Sequence, residues 1–180
     1  FAGKYITGAY YIYRMTFDKS LYEYIISFID ELLSYQAEDG YLGCYSKACR
    51  LTGAFSQTPE KTGDLYKEGT WDAWNHYHIM YGLLLWYKET LNECYLTAVE
   101  KIARLFMEKF YSSGCKSKRL IDIGNTEMNL APIHAFAILY NLTKNSCYLE
   151  LALKIEEDIQ DERAGNYIDC ARKNIEYYQC

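Results

Sequence analysis

Apolar residues recur three and four apart along much of the chain. Leu21, Tyr24, Ile25, Phe28 and Leu32 fall on one side of a helix. The opposite side of such stretches is charged, as at Lys101, Arg104 and Glu108. A second kind of stretch, residues 79–87 and 133–140, is apolar on nearly every side. A helix of that kind is covered by protein on both sides, whereas a one-sided helix faces water. The two kinds alternate, which predicts αα-hairpins of one buried and one surface helix. Helices are expected near 4–16, 19–36, 71–89, 93–112, 130–142 and 146–160, and residues 161–180 have no clear period.

The hairpin corners repeat. Tyr13, Thr16, Asp18 and Ser20 align with Tyr87, Thr90, Asn92 and Cys94, and with Tyr140, Thr143, Asn145 and Cys147. The match runs on through Leu21, Tyr95 and Tyr148, then Ile25, Val99 and Ala152, then Phe28, Ile102 and Ile155, then Leu32, Phe106 and Ile159. Stacked supersecondary units produce this kind of self-similarity. Asp18, Asn92 and Asn145 are placed to cap the second helix of each hairpin by accepting from a first-turn amide. Buried and surface helices in alternation fit two concentric layers. The uneven spacing of Tyr13, Tyr87 and Tyr140 suits a closed α/α toroid with long insertions better than a regular open array.

Those insertions, about 37–69 and 113–128, both precede the start of a buried helix. They should therefore meet at one mouth of the ring, where helix amides are unpaired and the dipole end is positive. This singles out Gln36, Asp39, Tyr41 and Tyr45 from the first insertion. Trp71, Asp72, Asn75 and His78 follow from the second buried helix, and Glu127 and Asn129 from the start of the third. Each has a plainer use. Asp39-Gly40 is a turn signal. Trp71 and Trp74 serve packing as readily as a sugar platform. Asn129, three residues before Pro132, fits an N-cap, and Glu127 fits the helix dipole. His76 and His78 lie about 200° apart around a helix and cannot share a metal. His78 and His134 read as core histidines.

Composition narrows the function classes. The chain has 180 residues, 50% of them hydrophobic, with 20 tyrosines and two prolines, enough for one all-α domain over residues 1–180 with a real core. A net charge of −5 without a basic cluster argues against nucleic acid or an anionic membrane as partner. No apolar run reaches the ~20 residues of a membrane span. The seven cysteines, Cys44, Cys49, Cys94, Cys115, Cys147, Cys170 and Cys180, include no Cys-x-x-Cys pair. They fit reduced thiols in a cytoplasmic protein, with no metal or other cofactor held by this chain. Cys94 and Cys147 share a repeat position with Ser20 and read as small packing residues. No nucleophile–acid pair or phosphate loop is present.

Three segments carry a family resemblance. They are Gly3-Lys4-Tyr5 through Tyr13-Arg14-Met15-Thr16 with Gln36-Ala37-Glu38-Asp39-Gly40-Tyr41-Leu42-Gly43-Cys44-Tyr45, then Trp71-Asp72-Ala73-Trp74-Asn75-His76-Tyr77-His78, then Glu127-Met128-Asn129-Leu130-Ala131-Pro132-Ile133-His134. In order and spacing they resemble the β-L-arabinofuranosidase family, glycoside hydrolase family 127. The resemblance implies an (α/α)6 barrel of which these three hairpins form about half, as a fragment of a larger catalytic domain. It implies hydrolysis of a terminal glycosidic bond in plant-type or other glycans, with a carbohydrate as partner. It also implies that the catalytic glutamate and zinc-binding cysteines lie downstream, so zinc belongs to the full-length protein. Trp71 and Asn129 stand where the family carries sugar-contacting histidines. The present residues would then bind substrate, and the remaining half of the barrel, or an oligomeric partner, would cover an open apolar face. The rival reading is a non-catalytic helical-repeat scaffold that binds a protein.

Overall fold

The computed structural model describes residues 1–56, 69–111 and 119–176. Cys115, Cys180, and parts of both insertions and of the tail lie outside the described residues. Within them every regular element is helical: α1 (Ala2–Thr16), α2 (Lys19–Ser34), α3 (Asp72–Thr90), α4 (Glu93–Phe106), α5 (Thr126–Asn129), α6 (Pro132–Thr143), α7 (Ser146–Ile159) and α8 (Tyr167–Arg172). The chain is all-α. The second insertion, expected as a loop, contains a 3₁₀ turn (Leu120–Ile123) and the short α5. The tail, in which no clear period was expected, contains α8. A π-helical turn, Met107–Tyr111, follows α4.

The same bonds form at three corners. The Thr16, Thr90 and Thr143 hydroxyls donate to the carbonyls of Ile12, Trp86 and Leu139, at 2.9, 2.8 and 2.9 Å. Each hydroxyl oxygen also accepts from the amide of Asp18, Asn92 or Asn145, at 3.3, 3.2 and 3.3 Å. Phe17, Leu91 and Lys144 lie between, left-handed at φ 52°, 54° and 60°. Their amides return to the Tyr13, Tyr87 and Tyr140 carbonyls. Asp18, Asn92 and Asn145 then accept from the amides of Ser20, Cys94 and Cys147 at 2.8, 3.0 and 3.1 Å, capping the next helix. The corner uses the Cys94 and Cys147 amides. Cys94 is exposed and Cys147 half-buried, which corrects their reading as packing residues.

Two compact units result: residues 1–44 with 75–106, and residues 45–74 with 107–180. In the first, α1 crosses α3 closely because Gly3 has no side chain; a methyl there would run into the His78 backbone. Close approach lets the buried Trp86 indole donate to the Ile6 carbonyl at 2.9 Å, ringed by Tyr10, Tyr13 and Tyr22. Ile25 and Ile29 of α2, and Tyr95, Val99, Ile102 and Phe106 of α4, complete the core of this unit. α3 and α4 are covered over most of their length, whereas α1 buries only Gly3, Ile6 and Ala9.

In the second unit α6 packs on α7, with Phe136, Leu139, Leu151 and Ile155 buried. Asp158 of α7 is buried as well. Its carboxylate takes Arg119 Nε at 2.6 Å on one oxygen, and the Tyr111 hydroxyl and Ile121 amide, each at 3.3 Å, on the other. Charge pairing and hydrogen bonds at both oxygens offset its desolvation. Arg119 extends the pairing to Asp161, which Arg163 links to Asp122.

Candidate functional site

In the first unit the Gln36–Leu42 connection is a tight turn held from several directions. The Ala37 amide bonds the Tyr41 carbonyl, and the Gly40 amide bonds the Ala37 carbonyl, both at 2.9 Å. The Asp39 carboxylate accepts from the Tyr41 amide at 3.1 Å. Gly40 sits at φ 90° against the Lys101 backbone, a place no side chain could share. Gln36 Nε2 donates to both the Gly40 and Ala98 carbonyls at 3.0 Å, fastening the turn to α4. Asp39-Gly40 is thus a structural turn, with the Asp39 carboxylate exposed.

Tyr41 is buried, 1% exposed, with its ring 4.8 Å from that of His76. His76 is fully buried on α3 and accepts from the Leu42 amide through Nε2 at 3.1 Å. That bond needs the tautomer with its proton on Nδ1. His76 clamps the turn to α3, a role that periodicity alone does not signal. Asn75 and His78 are half-buried on α3. Burial, then the nearby Lys4 charge, lowers the His78 pKa to about 4, so this imidazole is neutral near pH 7.

In the second unit Asp72 and Asn129 act as struts. Asp72, in the first turn of α3, is buried and accepts from the Leu51 amide at 2.9 Å. Leu51 lies at φ 53°, and the carboxylate holds that bend. Asn129 is fully buried. Its amide nitrogen donates to the Thr70 and Gly124 carbonyls, both at 2.7 Å. Its oxygen accepts from the Trp74 amide at 3.3 Å. Asn129 is therefore not the N-cap of α6, a position held by Ala131. It is the last residue of α5 and supplies a partner to an α3 first-turn amide from far along the chain. The reason is that Trp71, which precedes α3, has no side-chain acceptor to offer.

Trp71 and Asn129 are thus brought to one neighbourhood through Trp74. Trp71 is 48% exposed, its ring edge-on to Trp74 at 5.8 Å. Glu127, two residues before Asn129, is exposed and accepts from the Tyr167 hydroxyl of α8 at 3.4 Å. Tyr167 had no sequence signal, since the tail has no period. Tyr45 is half-buried with its ring 6.1 Å from Phe55. Trp71 and Glu127 thus present an indole and a carboxylate to solvent. His134, expected in the core, is exposed on α6 because its neighbours Ala135 and Phe136 take the buried positions.

Among the described residues, no three His, Cys, Asp or Glu side chains converge to hold a metal. They do not fit a zinc site. No described helix is long and apolar enough to cross a membrane. Residues 1–169 match the family described as β-L-arabinofuranosidase, GH127 catalytic domain. No curated protein and no solved structure matches the chain. The chain belongs to the GH127 catalytic-domain family, whose fold is an α/α toroid.

Proposed function

We propose, from that membership, that the chain supplies substrate-binding parts of a β-L-arabinofuranosidase-like glycoside hydrolase. The match over residues 1–169 carries the reading. The reaction is hydrolysis of a terminal glycosidic bond in a plant-type or related glycan. The geometry supports the following roles for this chain's own residues. Trp71 offers an exposed aromatic face, and Glu127, with Tyr167 beside it, offers an acceptor to sugar hydroxyls. Asp72 and Asn129 hold the connections from which these groups project. The acid, the nucleophile and any zinc belong to residues beyond the matched region, within a longer (α/α)6 barrel whose remaining hairpins cover the exposed side of α1.

The test is release of reducing sugar from a panel of aryl furanosides and pyranosides, full-length protein against this 180-residue chain. Turnover by the full-length protein alone is expected. Trp71→Ala should raise KM about tenfold with a smaller change in kcat, as loss of uniform binding does. Robust turnover by the 180-residue chain, abolished by Glu127→Gln, would place the chemistry in this half instead. Inactivity of both proteins on every sugar would favour a protein-binding scaffold.

A further inference from the structure

We propose that the turn from Asp161 to Tyr167 is a brace that positions Glu127, Tyr167 holding the carboxylate and Gly165 making room for the tyrosine; the proposal rests on the reading of Glu127 above as an acceptor for a sugar hydroxyl. The turn leaves α7 through Asp161, whose carboxylate accepts from the Arg163 amide at 3.0 Å. The Ala164 amide returns to the Asp161 carbonyl at 2.9 Å, and the Gly165 amide to the Glu162 carbonyl at 3.0 Å. Ala164 is buried beneath. Gly165 lies at φ 90°, and a methyl on it would stand 2.8 Å from the Tyr167 ring. A bare α-carbon therefore lets the ring pack against its own turn. From there the Tyr167 hydroxyl donates to Glu127 Oε1 at 3.4 Å.

Further ties keep the turn against the same insertion. Arg163 pairs with Asp122 at 2.8 Å, and Arg119 pairs with Asp161 at 2.9 Å. The side-chain bonds of Arg163 hold the Asp161 carboxyl well below the usual carboxylate range, so these pairs stay charged at ordinary pH. Each tie is weak alone, because its partners are partly exposed. Together they seat the turn at Asp122 and at Glu127. An exposed glutamate turns among several rotamers, and a ligand that binds it must first order it. A carboxylate has lone pairs enough to keep the phenol bond while accepting from a ligand. Tyr167 thus acts by ordering the acceptor before substrate arrives, which changes binding and not the chemical step.

The experiment uses the full-length protein, with kinetics on the aryl glycosides of the panel above and crystal structures of the same variants. Tyr167→Phe keeps the ring and removes the hydroxyl. KM should rise roughly two- to tenfold, the range of one hydrogen bond, with kcat and the urea midpoint unchanged. Gly165→Ala displaces the ring and should raise KM to the same degree; where it fails to fold, Tyr167→Phe decides. In a Glu127→Ala background Tyr167→Phe should add nothing, because a positioning residue acts only through the group it holds. Equal losses in both backgrounds overturn the proposal, as does a wild-type KM in Tyr167→Phe. The crystal structures test the brace without substrate. The Glu127 carboxylate should leave its wild-type orientation in Tyr167→Phe, and an unmoved carboxylate overturns the brace. A moved carboxylate in a full-length protein that hydrolyses no glycoside supports the brace and overturns the enzyme reading.

Discussion

The hairpin corners and the Asn129 strut both satisfy helix-end amides, yet by opposite routes. At Thr16–Asp18, Thr90–Asn92 and Thr143–Asn145 each side-chain bond spans four residues or fewer. Asn129 instead reaches 55 residues back to Trp74 and 59 back to Thr70. A local bond forms wherever its few residues recur, so it leaves a repeated pattern in the sequence. A long-range bond depends on two segments meeting once, so it leaves none. The cost of loss should differ too. A corner sits at the surface, where water replaces a lost cap. The strut is buried, where a freed carbonyl or amide has no substitute.

Asn129→Leu gives the largest expected effect. It leaves the Thr70 and Gly124 carbonyls and the Trp74 amide without their strut. A loss of about 3 kcal/mol is expected, read as a lower urea midpoint. A loss no greater than that at a corner would break the distinction. Arg119→Ala should come next. It strips the buried Asp158 of its cation while leaving the Tyr111 and Ile121 bonds. Because Arg119 is partly exposed, about 2 kcal/mol is expected, from the same denaturation curves.

His78 provides a pH test on α3. Its pKa is lowered to about 4 in the folded protein, against ~6.5 unfolded. Between these values the unfolded chain binds more protons, so stability falls as pH drops through this window and is fully present above it. The slope amounts to roughly 2 kcal/mol after allowing for partial exposure. Thermal melts from pH 7 to pH 4 should lose that slope in His78→Gln; an unchanged slope would show that another group carries it.

The corners should yield the smallest changes. Asn145→Ala removes one cap at the surface and should cost about 1 kcal/mol. Leu91→Gly should act in the other direction. Leu91 is 71% exposed and left-handed at φ 54°, a conformation that glycine adopts without steric cost. The gain should be at most ~1 kcal/mol, because glycine also loosens the unfolded chain. A clear loss in calorimetry would mean that the Leu91 side chain contributes packing at its corner.

Sequence patterning determined the helices and their junctions. The three-and-four spacing marked the six main helices, and Thr with Asp or Asn marked where each hairpin turns, because both signals act within one or two turns of chain. Asp39-Gly40 announced its turn for the same reason. The family resemblance located Trp71, Asp72 and Asn129 but did not disclose that the last two are buried struts. Tertiary structure decided that, along with the clamp from His76 to Leu42, the meeting of Tyr167 with Glu127, and the burial of Asp158 against Arg119. It also exposed His134 on a helix whose pattern had suggested a covered position. Each of these depends on which distant backbone groups lose water when segments meet. No local periodicity encodes that, because the same asparagine, aspartate or histidine is equally at home on a surface until a neighbouring chain removes its solvent.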